Sequence, residues 1–284
     1  MQKSKLLIKA DYSTDKIQDV SPSNAGWDEL NFRVCKKVKG EILTGNTENN
    51  EYAFIVLSGE IKVLVGNEIS EVIGHRNSVF EGMPWGLYLS LNTKYEIVVE
   101  SEQAEIAIGW CEAKKKFDNK IIKPENVQVE IRGGENATRQ INAIIPPGFN
   151  CEKLVVVEVY TPSGNWSSYP PHKHDKHIVD SDNNLVEADL EETYFYKIDK
   201  PNGYAIQQVY NDDKTLDEII RAENNDLVLV PEGYHPVVAA PGYNVYYLNF
   251  LVGSAQSLKA SDDPKFSWVK DTWKNKDKRL PLVR

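Results

Sequence analysis

The chain has 284 residues, 41% apolar and 26% charged, with Gly 17 and Pro 14, a globular make-up that excludes a disordered or low-complexity protein. Lys plus Arg number 33 against 42 for Asp plus Glu, a formal charge of −9 that would repel a phosphate backbone, so nucleic acid is not expected as a partner. No apolar run approaches the roughly 18–20 residues of a membrane span, and Leu6-Leu7-Ile8 is too short for the apolar core of a signal peptide, so a cytoplasmic protein free of membrane is expected.

Along the chain the periodicity is that of strands: short runs rich in Val, Ile, Tyr and Phe, broken by Gly, Pro, Asn and Asp. Tyr52 to Leu57, Glu60 to Val65 and Tyr95 to Val99 come first, then Leu154 to Tyr160 and Asn244 to Phe250. Thr215 to Arg221 and the tail around Asp263 to Lys274 are at most short helices. Cys35, Cys111 and Cys151 lack CxxC spacing and are expected to be buried thiols rather than a disulfide framework or a zinc site. Many short strands with turn punctuation predict an all-β sandwich or barrel.

An internal repeat sharpens this. Glu51-Tyr-Ala-Phe-Ile-Val-Leu matches Glu192-Thr-Tyr-Phe-Tyr-Lys-Ile, and Val79 to Gly86 matches Val228 to His235. The offsets, 192 − 51 = 141 and 235 − 86 = 149, differ by about eight residues, which a hairpin loop absorbs. Two tandem barrels are expected, residues 1–125 and 126–284, joined by the charged, strand-poor stretch Lys114 to Asn126.

The chemistry lies in the second copy, which holds four of the five histidines. In Tyr169-Pro-Pro-His172-Lys-His174-Asp175 two histidines at i and i+2 on an extended segment face the same way and make a chelating pair. A carboxylate follows at Glu191-Glu192, and a third imidazole in Pro231-Glu-Gly-Tyr-His235. Neutral imidazoles plus one carboxylate suit one divalent ion per chain, Zn or Mn first, with Fe, Ni or Co as alternatives.

HxH, Glu, a Gly-containing hairpin and Pro-x-x-x-His form the cupin pattern, stretched here by about sixteen residues between His174 and Glu191. The phrases SSYPPHKHD, EETYFYKID, LVLVPEGYHPVVAAPGYNVYYLNFLVG and DDPKFSW resemble the 5-deoxy-glucuronate isomerase family of myo-inositol catabolism. That family is related to the 4-deoxy-L-threo-5-hexosulose-uronate isomerases. The resemblance runs from about Trp27 to Trp268. It implies a bicupin of two jelly-roll barrels, the first without metal, converting 5-deoxy-D-glucuronate to 2-deoxy-5-keto-D-gluconate. It also implies His172, His174, Glu192 and His235 as ligands. Glu192 is preferred to Glu191 because it heads a Glu-x-Tyr-x-Tyr alternation and is the repeat partner of Glu51.

Aldose–ketose exchange needs a metal chelate and a base, or a hydride shift. Glu191 is either a surface charge or a proton-transfer group, and Asp175 is a loop group or a partner for a ligand imidazole. A sugar-acid substrate brings a carboxylate, for which Arg139 is the first candidate and Arg132 the second. Gln207, Tyr210 and Tyr247 are rim candidates for its hydroxyls. The alternatives are the related keto-uronate isomerase, a non-catalytic sugar-acid-binding cupin, or an Fe dioxygenase on ligand set alone. Pairing of exposed sheet edges makes a homo-oligomer an expectation.

Overall fold

The computed structural model describes residues 4–284; Met1 to Lys3, which begin the first expected unit, lie outside the described residues. The described residues are nearly all β, with three short 3-10 turns and one single-turn helix, Pro22–Ala25, among them. A nine-stranded sheet is built from Lys16–Val20 through Lys120–Ile122, and an eight-stranded sheet from Gln128–Arg132 onward. The exception is Leu7–Ile8, which leaves its neighbours in sequence and pairs antiparallel with Leu227–Val230 at the edge of the second sheet. A four-stranded sheet of Trp166–Ser167, Val237–Ala239, Tyr204–Tyr210 and Asp217–Glu223 lies in the same half as the eight-stranded one.

The sheets curl because their long strands change partners midway. Asn50–Val65 pairs with Gln103–Glu112 and Trp85–Leu89 along its first part, then with Ile69–Arg76 and Lys94–Val99 along its second. The ladder slips between Val56 and Ser58, and Gly59 has φ 84°. A Cβ there would stand 2.3 Å from the Gln103 carbonyl oxygen, so the bend admits only glycine.

Both faces of these strands are buried, which is why Tyr52 to Leu57 reads as a continuous apolar run rather than an alternation. Phe54 and Val56 fill the inner core of the first half; Ala53 and Ile55 point to the second half and pack in a shared core with Phe195, Leu248 and Phe250. The approach is close: a Cβ on Gly109 would lie 2.1 Å from a Phe250 ring carbon. Tyr194, Tyr196, Val228 and Val230 fill the inner core of the second half.

Polar ties cross the same boundary. Arg76 and Glu158 form a fully buried ion pair at 2.6 Å, with the Tyr246 and Tyr160 hydroxyls donating to Glu158. Such a pair recovers its desolvation only when its remaining hydrogen bonds are met, as these are. Glu51, also buried, accepts from the backbone N–H groups of Glu152, Lys153 and Leu154 at 2.7–2.9 Å.

All three cysteines are buried and free. Asp217–Glu223 is a strand, not the short helix expected there: its Ile220 and Ala222 point inward in alternation while it pairs with Tyr204–Tyr210. The tail does turn once, as a 3-10 segment Ser267–Thr272. Among the described residues no helix is long and apolar enough to cross a membrane.

Candidate metal centre

From Ala188 onward, Leu185–Ile198 brings its even-numbered residues inward, so Glu192, Tyr194 and Tyr196 share a face with the inner core of the second half. Glu192 is buried there beside His174 and His235, and the ligand atoms of these three residues lie within 4.8 Å of one another. His172 joins them, its ring 4.9 Å from that of His235 and edge-on at 75°.

The three rings are oriented alike. Nδ1 of His172 faces the Pro170 carbonyl at 3.3 Å, that of His174 the Leu190 carbonyl at 2.9 Å, and that of His235 the Gly233 carbonyl at 2.7 Å. A carbonyl only accepts, so each Nδ1 carries its proton, and the Nε2 atoms of His174 and His235 face Glu192 at 3.0 and 3.3 Å. Nε2 of His235 is fully buried, 3.3 Å from a Glu192 oxygen and without a hydrogen bond. The buried donors His174, Glu192 and His235, one of them an orphaned nitrogen, fit a divalent ion, and His172, half-buried beside His235, is the residue that would complete its shell.

The electrostatics follow from burial. Desolvation, with the His235 and Arg139 charges, pushes His172 well below the ordinary imidazole value. Desolvation also works against charge on His174 and Glu192, but their mutual hydrogen bond at 3.0 Å raises His174 and, together with His235 beside the carboxylate, holds Glu192 down at about 2.

Beside His172 opens a cavity of about 280 Å3, lined by Arg132, Arg139, Tyr169, Asp262, Lys270 and Trp273 among others. Larger clefts of about 450 and 520 Å3 lie between the halves and beside the crossover, but neither is lined by a histidine. Arg139 is buried, donates to the Tyr169 carbonyl at 3.2 Å, and has no carboxylate within ion-pair distance among the described residues. Desolvation lowers its pKa accordingly. Arg132, on the rim, is engaged bidentately with Glu130 at 2.6–2.8 Å and is half-exposed.

The structure moves four other candidates. Glu191 points to the opposite face of its strand from Glu192, where it accepts from the backbone N–H groups of Asp28, Glu29 and Leu30 and takes no part in the centre. It is therefore Glu191, not Glu192, that shares the boundary face and the amide-accepting role of Glu51. Asp175 bonds no imidazole; it accepts the Gly233 N–H at 2.7 Å, fixing the residue whose carbonyl holds His235. Gln207 lies in the interior rather than on a rim, accepting from the Tyr196 hydroxyl at 2.8 Å with its amide nitrogen 3.5 Å from the His235 carbonyl. Tyr210 donates at 2.7 Å to Asp263 and so pins the tail. Tyr247 is closer to expectation: buried, it shares the Ser168 hydroxyl with Tyr194, whose ring stands 5.7 Å from His235.

Sequence reading missed the tail's contribution. Ser261–Asp262 pairs with His172–Lys173, with Asp262 directly opposite His172. The one available signal was the DDPKFSW phrase, which carries no indication of where the tail docks.

Comparison with known proteins gives one consistent picture. The model of the KduI/IolB family matches residues 6–269. A protein named 5-deoxy-glucuronate isomerase from Geobacillus kaustophilus (strain HTA426) is 41% identical over 254 residues, 89% of this chain and 90% of that protein. The protein of the same name from Bacillus subtilis (strain 168) is 37% identical over 255 residues, 89% of this chain and 92% of its own length. The crystal structure of an IolB-like protein from Salmonella typhimurium LT2 superposes with TM-score 0.88 at 34% identity, covering 94% of this chain and 99% of that one. An oxalate decarboxylase variant from Bacillus subtilis, 13% identical, superposes with TM-score 0.60 over 90% of this chain and 78% of its own, a likeness of fold alone that suits jelly-roll sheets.

Proposed function

The chain belongs to the KduI/IolB family, and from that membership we propose that it converts 5-deoxy-D-glucuronate to 2-deoxy-5-keto-D-gluconate in a metal centre held by His172, His174, Glu192 and His235. The observation that carries this reading beyond the family is Arg139. Arg33, Arg76, Arg132, Arg221 and Arg279 each meet a carboxylate of the chain, whereas among the described residues Arg139 and the exposed Arg284 meet none, and of these two Arg139 is the buried one, beside His172. A buried guanidinium without a counter-ion is costly, and the carboxylate of a uronate supplies one.

A divalent ion of the Zn or Mn kind, when bound, supplies the Lewis acidity that polarises a carbonyl and lowers the pKa of the neighbouring hydroxyl. The chain's own groups do the rest. Arg139 holds the carboxylate, the Tyr194, Ser168 and Tyr247 hydroxyls offer hydrogen bonds beside His235, and the tail residues Lys270 and Trp273 wall the cavity.

The same reading makes the chain a bicupin divided at 125/126, with Leu7–Ile8 exchanged onto the second barrel. The change of sheet between Ile122 and Gln128 supports the division. The first barrel is proposed to be metal-free: the register that pairs Glu51 with Glu191 puts Tyr52 where the second has Glu192, and Tyr52 is stacked flat on Trp110 at 5.3 Å.

Turnover of 5-deoxy-D-glucuronate by metal-replete protein, with ketose followed by NMR, tests the proposal. Ketose that disappears in a chelated sample and in His235→Ala supports it. Metal bound at one ion per chain with no ketose formed overturns it and directs attention to the related keto-uronate and to oxygen uptake with Fe.

A further inference from the structure

An aldose–ketose exchange moves a hydrogen between neighbouring carbons, and neither carboxylate expected to carry it is placed to do so. Glu191 faces the other half, and Asp175 is engaged with the Gly233 N–H. Glu192 and the three histidines form the metal centre, and the cavity arginines serve as cations. The cavity beside His172 holds one further carboxylate, Asp262.

The tail delivers it through two adjacent aspartates with opposite tasks. Asp263 is buried, accepts from Tyr210 at 2.7 Å and donates its own N–H to the Pro171 carbonyl at 2.8 Å, so it staples the tail next to the two histidines. Asp262, one residue earlier, lines the cavity instead, paired in register with His172. One of its oxygens meets Lys270, which lines the same cavity. Its side chain is 29% exposed, enough for a proton held there to exchange with water.

We propose that Asp262 is the general base of the isomerisation, oriented by Lys270; this rests on the function proposed above. Asp262 takes the proton from C2 of the aldose, the C–H electron pair becomes the C1=C2 bond of an enediol, and the carbonyl π pair goes to O1, which gains a proton from water. The O2 proton then passes to the hydroxide so formed, the C2=O bond forms, and the enediol π pair takes the proton from Asp262 at C1. Nothing is gained or lost overall, so no oxidant or reductant is required.

The test is turnover in D2O with metal-replete protein. Wild type is expected to place deuterium at the carbon that becomes the CH2OH group. Asp262→Asn is expected to lose about 100- to 10,000-fold in kcat with metal content unchanged and KM within about threefold. Asp262→Glu, which keeps the carboxylate, should recover at least about a tenth of wild-type kcat, separating lost chemistry from lost folding. Asp262→Asn within about threefold of wild-type kcat, or ketose from wild type without deuterium, overturns the assignment while leaving the isomerase intact. No ketose from wild type at all brings down the function proposed above, and this assignment with it.

Discussion

Glu51 and Glu191 answer each other across the boundary between the two halves: each carboxylate accepts three consecutive backbone N–H groups, from 152–154 and from 28–30 respectively. The two amide-donating loops are themselves joined by the Lys153–Glu29 ion pair. Each loop leads into the strand beginning at Val155 or Asn31, so a single pattern, used twice, fastens the halves reciprocally.

Removing either carboxylate leaves three amides facing a space the partner loop cannot refill. Glu191→Ala is expected to destabilise by about 2–4 kcal/mol, read as a lower denaturant midpoint, with the metal content of the folded fraction unchanged. Glu51→Ala should behave alike. A Glu191→Ala protein of wild-type stability and depressed kcat would place Glu191 in the chemistry after all.

Asp175 anchors Gly233, whose carbonyl holds His235 in the candidate metal centre. Asp175→Ala is expected to weaken metal affinity by about 10–100-fold, measured by metal titration, because the loop carrying His235 loses its anchor. Asp175→Asn keeps an acceptor oxygen for the Gly233 N–H and should restore most of the affinity; equal losses in both variants would show that the charge, not the anchoring, matters.

As the proposed partner of the substrate carboxylate, Arg139 sets stability against function. Arg139→Met removes a buried, unpaired charge, so the variant is expected to be at least as stable as wild type in thermal melts. Its KM for the uronate should rise by about 100-fold or more, since a charge-assisted pair is lost. A variant that melts well below wild type with KM unchanged would make Arg139 a structural residue.

Asp277 gives the tail a pH dependence. Hydrogen bonds from Arg279, and then from Asn165, hold its carboxyl down at about 2 against burial, from an ordinary 3.8. A depressed folded value means stabilisation that is whole above pH 3.8 and is lost as pH falls toward 2. With Arg279 about half exposed, this amounts to about 1 kcal/mol. Asp277→Asn should therefore be less stable than wild type at pH 7, with the gap closing near pH 2; a gap independent of pH would refute the charge-based account.

Much of this was legible in local pattern. Strand content follows from runs that alternate or stay apolar, and the Glu-x-Tyr-x-Tyr alternation alone puts Glu192 on the face of Tyr194 and Tyr196. The repeat misleads at the same spot: matching Glu51 to Glu192 by letter is one residue out of step with the fold, and in a strand one residue exchanges the two faces. What local pattern does not carry is destination. Nothing near Glu191 announces amides 160 residues away, and nothing in Thr215 to Arg221 tells a short helix from an edge strand until Tyr204–Tyr210 lies beside it. The tail is likewise unreadable, because Asp262 and Asp263 differ only in which way an extended backbone turns them.

The placement of Leu7–Ile8 on Leu227–Val230 orders events in time. The strand that receives Leu7–Ile8 is made more than two hundred residues after them, so the first half begins to fold with this segment undocked. This ladder thus joins two parts of the chain far apart in sequence, and its closure reports that both halves are present.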